Sequence, residues 1–357
     1  MTRMPLSTGL LSAVFASIAF GLSGPFVEPL LDAGWTPGAA VAVRAAIGGI
    51  ALLPFALFTQ RGRYRALWVA RWRVLAMAAL GVVGTQLCYF SAIERIPVST
   101  AILIEYMAPI LLVVTSWALR RRRPAAVVLI GSGMSIAGLL LVVSPSGQAL
   151  DPLGVLLAAG ATVCLAVYFV VSAGTPGNVS SVTFAAASLL VGAALLGALG
   201  MLGVIDFAGG VMPVEVLDQQ LPWWLPTLVI GLIATAFAYA TSIVASRLLG
   251  SRLASFAGLL EVVAAAMFAW VLLGQTLATP QLIGGLLILV GIGFVRAERV
   301  SANTEPANAT QVRRRCSPLV HEAHEAHEAK RRLFPSPSHK RGEMGADRPL
   351  EGGGRDS

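Results

Sequence analysis

Ten windows of about twenty predominantly apolar residues follow one another through most of this chain. They cover 9–31, 38–58, 73–93, 98–118, 125–144, 152–173, 180–203, 222–244, 251–272 and 279–296. About 20 apolar residues in a helix cross the ~30 Å hydrocarbon layer of a bilayer. Inside that layer no water satisfies backbone N–H and C=O groups, so only helices and closed barrels span it. The windows are continuously apolar rather than alternating, which selects helices. The expected fold is therefore all-α and integral to the membrane, with ten transmembrane helices.

Composition closes off the soluble alternative. Charged residues make up 12% of the 357-residue chain, against about 25% in soluble domains. The formal charge of +8 does not point to nucleic acid. The arginines sit in short runs beside apolar windows, where they set topology. Arginine outnumbers lysine heavily, as in chains from GC-rich bacterial genomes. Cys88 and Cys164 lie within windows and Cys316 near the end, with no ligand spacing or disulfide framework among them. The first window runs from Gly9 to about Leu31, too long for a signal-peptide core, and is read as a retained helix.

Basic residues orient the chain. With the N-terminus in the cytoplasm, the inner segments hold Arg3, Arg61, Arg63, Arg65, Arg71, Arg73, Arg120 to Arg123, Arg247, Arg252, Arg296 and Arg299. The outer segments hold Arg95 among the acids Glu28, Asp32, Glu94, Asp151, Asp206, Glu215 and Asp218. This asymmetry places both termini in the cytoplasm of a bacterial inner membrane. Residues 298–357 are polar and rich in Pro, Gly and mixed charge, and are expected to be a disordered cytoplasmic tail.

The sequence also repeats. At a shift of 153, Ala101 meets Ala254, Trp117 meets Trp270, Leu119 meets Leu272, Ile130 meets Ile283, Gly131 meets Gly284 and Gly138 meets Gly291. Gly9-Leu10-Leu11 matches Gly154-Val155-Leu156 at a slightly shorter shift. Five windows per half is odd, so the second half enters the membrane upside down. Charge agrees: the loop after the second window carries five Arg, whereas its counterpart after the seventh carries acids. The expected domains are 1–146 and 147–297, two inverted five-helix repeats. Repeats of this kind build secondary transporters, with substrate held near mid-membrane at the repeat interface.

Ionisable residues inside windows then become the functional candidates. Arg44 in the second window and Glu105 in the fourth each lie, at about 1.5 Å per residue, ~10 Å from the outer interface. Equal depth predicts that they pair. Glu261 in the ninth window lies near mid-depth without a cation at its level, which suits reversible protonation. Gln86, Tyr89, Tyr168 and Tyr239 are the further polar side chains expected to touch substrate, or else to bond helix to helix. Gly24-Pro25, Pro29 and Pro109 are expected to break or kink their helices.

Other chemistry finds little support. His321, His324 and His327 recur in "HEAHEAHEA", a low-complexity run without a completing ligand, so no metal site is assigned. No Walker loop is present, no cofactor is expected, and no nucleophile–base arrangement suggests an enzyme.

"VAVRAAIGG" around Arg44, "AILIEYMAPI" around Glu105 and "GLLEVVAAAMFAWVLLGQTLATPQLIGGLLILVGI" around Glu261 also resemble a family. The chain is similar, from about Gly9 to Val295, to ten-helix members of the drug/metabolite transporter superfamily, EamA family. The branch it most resembles is that of the bacterial threonine/homoserine exporters. It departs from the family pattern at Glu261-Val262, where Glu-Pro is usual, and at Gly274-Gln275, where Gly-Glu is usual. The resemblance implies export of amino acids or other small polar metabolites by alternating access, and the intramembrane acids Glu105 and Glu261 point to proton antiport. The partners expected are a small-molecule substrate, the lipid bilayer and a second copy of the chain in a homodimer, with no nucleic acid. The competing reading is a membrane scaffold or sensor that transports nothing.

Overall fold

The structure, a computed structural model, describes residues 6–62, 64–96, 98–120, 125–143, 150–216, 219–273 and 278–297. The tail expected to be disordered, with its histidine run, lies outside the described residues, as do Gln275 and Asp218. Among the described residues nine helices are long and apolar enough to cross a membrane. They are Leu6–Asp32, Pro37–Thr59, Arg71–Ile93, Thr100–Leu119, Ala126–Val143, Pro152–Ala173, Ser181–Met201, Trp224–Gly258 and Thr279–Ala297.

The expected eighth and ninth spans meet inside the 35-residue stretch Trp224–Gly258. Gly250, with φ 76° and ψ 163°, is not helical. Positive φ is a conformation that glycine adopts without a Cβ clash. The neighbours of the first helix show what the break does. Tyr239 stacks on Phe20 at 5.3 Å, and Leu249 packs on Gly9. Beyond Gly250 the order reverses: Ala257 accepts from Ser17 and Ala264 packs on Gly21. The chain therefore turns back on itself at one residue. The crossing after Gly250 is made of two shorter pieces, 251–258 and Leu260–Leu273.

Two more breaks lie where proline was expected to act. The first helix stops at Gly21 and restarts at Ser23, just before Gly24-Pro25. The fourth is split into Val98–Glu105 and Ala108–Arg120. The residue that would donate to the Glu105 carbonyl is Pro109, which has no N–H. A break at Leu259 separates Gly258 from Leu260 in the second half. Glu105 ends its half-helix, Glu261 stands in the first turn of Leu260–Leu273, and the two breaks lie about 153 residues apart.

Contacts between the halves come in reciprocal pairs. Ser17 donates to the Ala257 carbonyl at 3.2 Å, and Thr162 donates to the Ile104 carbonyl at 2.7 Å. Gly9 packs on Leu249 as Gly154 packs on Ile96, and Gly48 meets Thr235 as Gly192 meets Val82. Gly131 approaches the Gly291 carbonyl while Gly284 approaches that of Gly138. In every pair both members move by one repeat, as contacts across a two-fold relation do. Glycine at these points lets backbones come close, the usual device where helices meet in lipid.

Connecting segments tie down both ends of the bundle. At the arginine-rich end, Gln60 donates to the Asn178 carbonyl at 3.0 Å and accepts from the Ser180 N–H at 3.4 Å. Arg247 donates to the Val179 carbonyl and the Ser181 hydroxyl, both at 3.0 Å. Thus Arg247, placed by sequence as a topology charge, also holds the 174–180 connection. At the opposite end the long loop is more than a connector. It contains a two-stranded antiparallel hairpin, Val214–Val216 with Gln219–Leu221. Val214 is buried with Leu30, Trp35, Ala39 and Ile230. Thr36 exchanges hydrogen bonds with Ala208.

Candidate functional site

The site grows out of the broken helices. A break leaves backbone groups without helical partners and lets side chains at the gap turn inward. Glu105 and Tyr106 stand at one break and Glu261 beside the other. The two carboxylates are close enough to influence each other electrostatically. The Tyr106 hydroxyl is a near neighbour of the Glu261 carboxylate. Helix dipoles treat the acids differently. A half-helix N-terminus favours negative charge on Glu261, and a C-terminus opposes it on Glu105.

Arg44 enters from Pro37–Thr59. Its Nη1 donates to the Ser23 hydroxyl at 2.8 Å, at the break in the first helix. The pairing expected with Glu105 does not form. Among the described residues no ion pair joins Arg44 to Glu105 or to Glu261, and the acid whose charge is felt at Arg44 is Glu261. The expected Arg44–Glu105 pair is thereby corrected: Arg44 is held by Ser23 and feels the charge of Glu261. The reason is geometric, since counting residues along a helix gives depth but not the face on which a side chain emerges.

Aromatic side chains close around these charges. Tyr168 and Tyr239 are buried and meet edge to face at 5.7 Å. Phe20 and Phe169 extend the cluster, at 5.3 Å from Tyr239 and 5.1 Å from Tyr168. Tyr89 stands near Glu105. Arg44, Tyr89, Glu105, Tyr106 and Glu261 are all half-buried, whereas the two tyrosines behind them are closed off. The Tyr168 hydroxyl is buried, and among the described residues it makes no hydrogen bond of good geometry.

The structure thus brings together six of the seven residues picked out by sequence: Arg44, Tyr89, Glu105, Tyr168, Tyr239 and Glu261. Gln86 is half-buried one turn before Tyr89, and among the described residues no hydrogen bond ties it to the cluster. Sequence reasoning missed Tyr106, Ser23 and Phe20. Tyr106 adjoins Glu105 and Ser23 adjoins Gly24-Pro25, so both carried a signal. Phe20 carried none.

Two stretches of π-helix sit just ahead of site residues, Met77–Gly84 before Gln86 and Tyr89, and Leu232–Phe237 before Tyr239. A π-turn inserts an extra residue per turn and shifts the face on which everything after it emerges, and such turns often occur at functional sites. Like the acids, the two stretches lie about one repeat apart.

The profile of the EamA-like transporter family matches residues 7–144 and again 152–297. The chain belongs to this family. Its EamA relatives include a protein described as an uncharacterized transporter, YwfM, of Bacillus subtilis (strain 168). That protein is 28% identical over 297 residues, covering 80% of this chain and 93% of the relative. A second uncharacterized transporter, from Archaeoglobus fulgidus, is 24% identical over 284 residues, covering 80% and 94%. One solved crystal structure superposes with a TM-score of 0.64 at 22% identity, covering 82% of this chain and 99% of the other, and is similar to this chain in fold. The chain is accordingly an all-α membrane transporter with two EamA repeats.

Proposed function

We propose that this EamA protein is a secondary-active exporter of amino acids or other small polar metabolites, working by alternating access with proton antiport. The observation that carries this reading is the placing of Glu105 and Glu261 at two helix breaks one repeat apart, with Arg44 held by Ser23 at the break in the first helix. Discontinuous helices facing each other near mid-membrane are the usual binding apparatus of inverted-repeat transporters. In this reading residues 1–146 and 147–297 are the two repeats, inverted relative to each other. The protein lies in a bacterial inner membrane with both termini cytoplasmic. The reciprocal contacts and the arginine asymmetry support that arrangement.

The roles follow from the surroundings. Arg44, oriented by Ser23, receives a substrate carboxylate. Tyr106 and Glu261 hold the substrate beside it, on a floor of Tyr168 and Tyr239. Glu105, set against a half-helix C-terminus and another acid, exchanges the proton. Rocking the halves opens the site to one side at a time. The Gln60–Arg247 ties shut the arginine-rich end, and the Trp35–Val214 cluster shuts the other.

The test is flux. Purified protein in proteoliposomes of known orientation should accumulate a labelled amino acid against its gradient when a pH difference is imposed. A panel of amino acids and toxic analogues, scored for resistance on overexpression, selects the substrate. Failure of every compound on the panel to move in either assay would overturn the reading.

A further inference from the structure

Cys88 and Cys164 are not used by the proposed transport cycle, yet the fold sets them face to face. Cys88 lies in Thr85–Ile93 and Cys164 in Pro152–Ala173, so they come from different halves of the chain. Each sulfur packs over a glycine of the other helix. A Cβ built on Gly160 would fall 3.2 Å from the Cys88 sulfur, and one on Gly84 would fall 3.0 Å from the Cys164 sulfur. Glycine and cysteine are four residues apart on both helices, so the two Gly-x-x-x-Cys units interlock head to tail. Both cysteines are free thiols, and they neighbour each other and Glu105. Cys88 is half-buried and Cys164 is buried. Among the described residues no group of three or more Cys, His, Asp and Glu forms a metal-holding cluster.

We propose that Cys88 and Cys164 form a two-thiol site for a soft d10 cation, which bridges the two sulfurs and fastens the third helix to the sixth. Thiolate is the preferred ligand of such ions. Two sulfurs from facing helices, without a third donor, suit two-fold coordination. With Hg(II), two S–H bonds break, two Hg–S bonds form and two protons leave to solvent, with no change of oxidation state. The clasp joins one half to the other across the faces that alternating access must move. The site itself is independent of the transport reading, and only its effect on flux rests on it.

The probe is mercuric ion added to the purified Cys316→Ser chain, followed by a wash with excess monothiol. One mercury per chain, with the mass of two protons lost, is expected to survive the wash. Melting temperature should rise, because an ion held only by the folded state stabilises it. Cys88→Ser and Cys164→Ser should each abolish both effects, and Cys88→Ala and Cys164→Ala should do the same where serine disturbs folding. Two mercuries per chain, or an adduct that persists with one cysteine removed, would overturn the site whatever the flux. If the untreated protein transports, the bridged form should lose at least tenfold in flux and recover it with a dithiol. Unchanged flux in a chain shown by mass to be bridged would overturn the clasp and leave the transport reading intact. Absence of flux before any treatment would count against transport alone, since mass and melting temperature still decide the site.

Discussion

Glu105 closes one half-helix and Glu261 opens another, and the two breaks stand one repeat apart in the sequence. Nearly symmetric backbones therefore present two acids to opposite ends of helix dipoles. The asymmetry between otherwise related halves suggests a division of labour.

Glu105 is expected to be the coupling acid. Glu105→Gln keeps the shape and removes the proton site, so the variant should still exchange substrate but lose accumulation driven by a pH difference by at least tenfold. Glu261→Gln should instead raise the substrate concentration needed for half-maximal exchange. Vesicles of known orientation, loaded and unloaded, distinguish the two. Normal pH-driven accumulation by Glu105→Gln would return the proton to Glu261 or remove it from the cycle.

Arg44 should be coupled energetically to Glu261 and not to Glu105. Residues that interact deviate from additivity by about 0.5–3 kcal/mol, whereas independent ones add. Double-mutant cycles on melting, Arg44→Gln with each Glu→Gln, should show that contrast. Ser23→Ala removes a charged hydrogen bond of a kind that contributes about 1.5–3 kcal/mol, and should weaken substrate binding without altering proton coupling.

Gly138 and Gly133 make a matched pair. A Cβ on Gly138 would lie 2.5 Å from the Gly284 carbonyl oxygen, while one on Gly133 meets nothing within 4 Å. Overfilling a close contact costs about 1–3 kcal/mol. Gly138→Ala should lower the melting temperature of detergent-purified protein, and Gly133→Ala should leave it unchanged.

A chain ending at Val300 should insert and transport like the full-length protein. The residues beyond have too few large apolar side chains to join a membrane bundle. Membrane abundance and flux, measured together, check this.

Much of this fold can be read from the sequence because lipid allows so little else. Apolar length gave the spans, and Pro109 and Gly24-Pro25 marked two of the breaks. The glycines repeated at 131, 138, 284 and 291 marked the repeat, and the structure shows that they also form a crossing. The site was legible as a set of residues but not as a set of contacts. Arg44 and Glu105 share a depth, yet depth does not fix the direction in which a side chain leaves its helix. That direction depends on breaks and π-turns upstream, and Met77–Gly84 and Leu232–Phe237 have no marker in an apolar run. The Val214 hairpin escaped notice for a related reason. Three-residue strands carry too little pattern, and their burial comes from Trp35, which is far away in sequence.

The turn at Gly250 has a mechanical meaning. A connection of one residue has no slack. The arm that carries Arg247 and the arm 251–258 meet there as a bell-crank, so displacement at one arm is passed to the other. Releasing the 174–180 connection from Arg247 at the arginine-rich end would thereby be felt as far as the break at Leu259, beside which Glu261 stands.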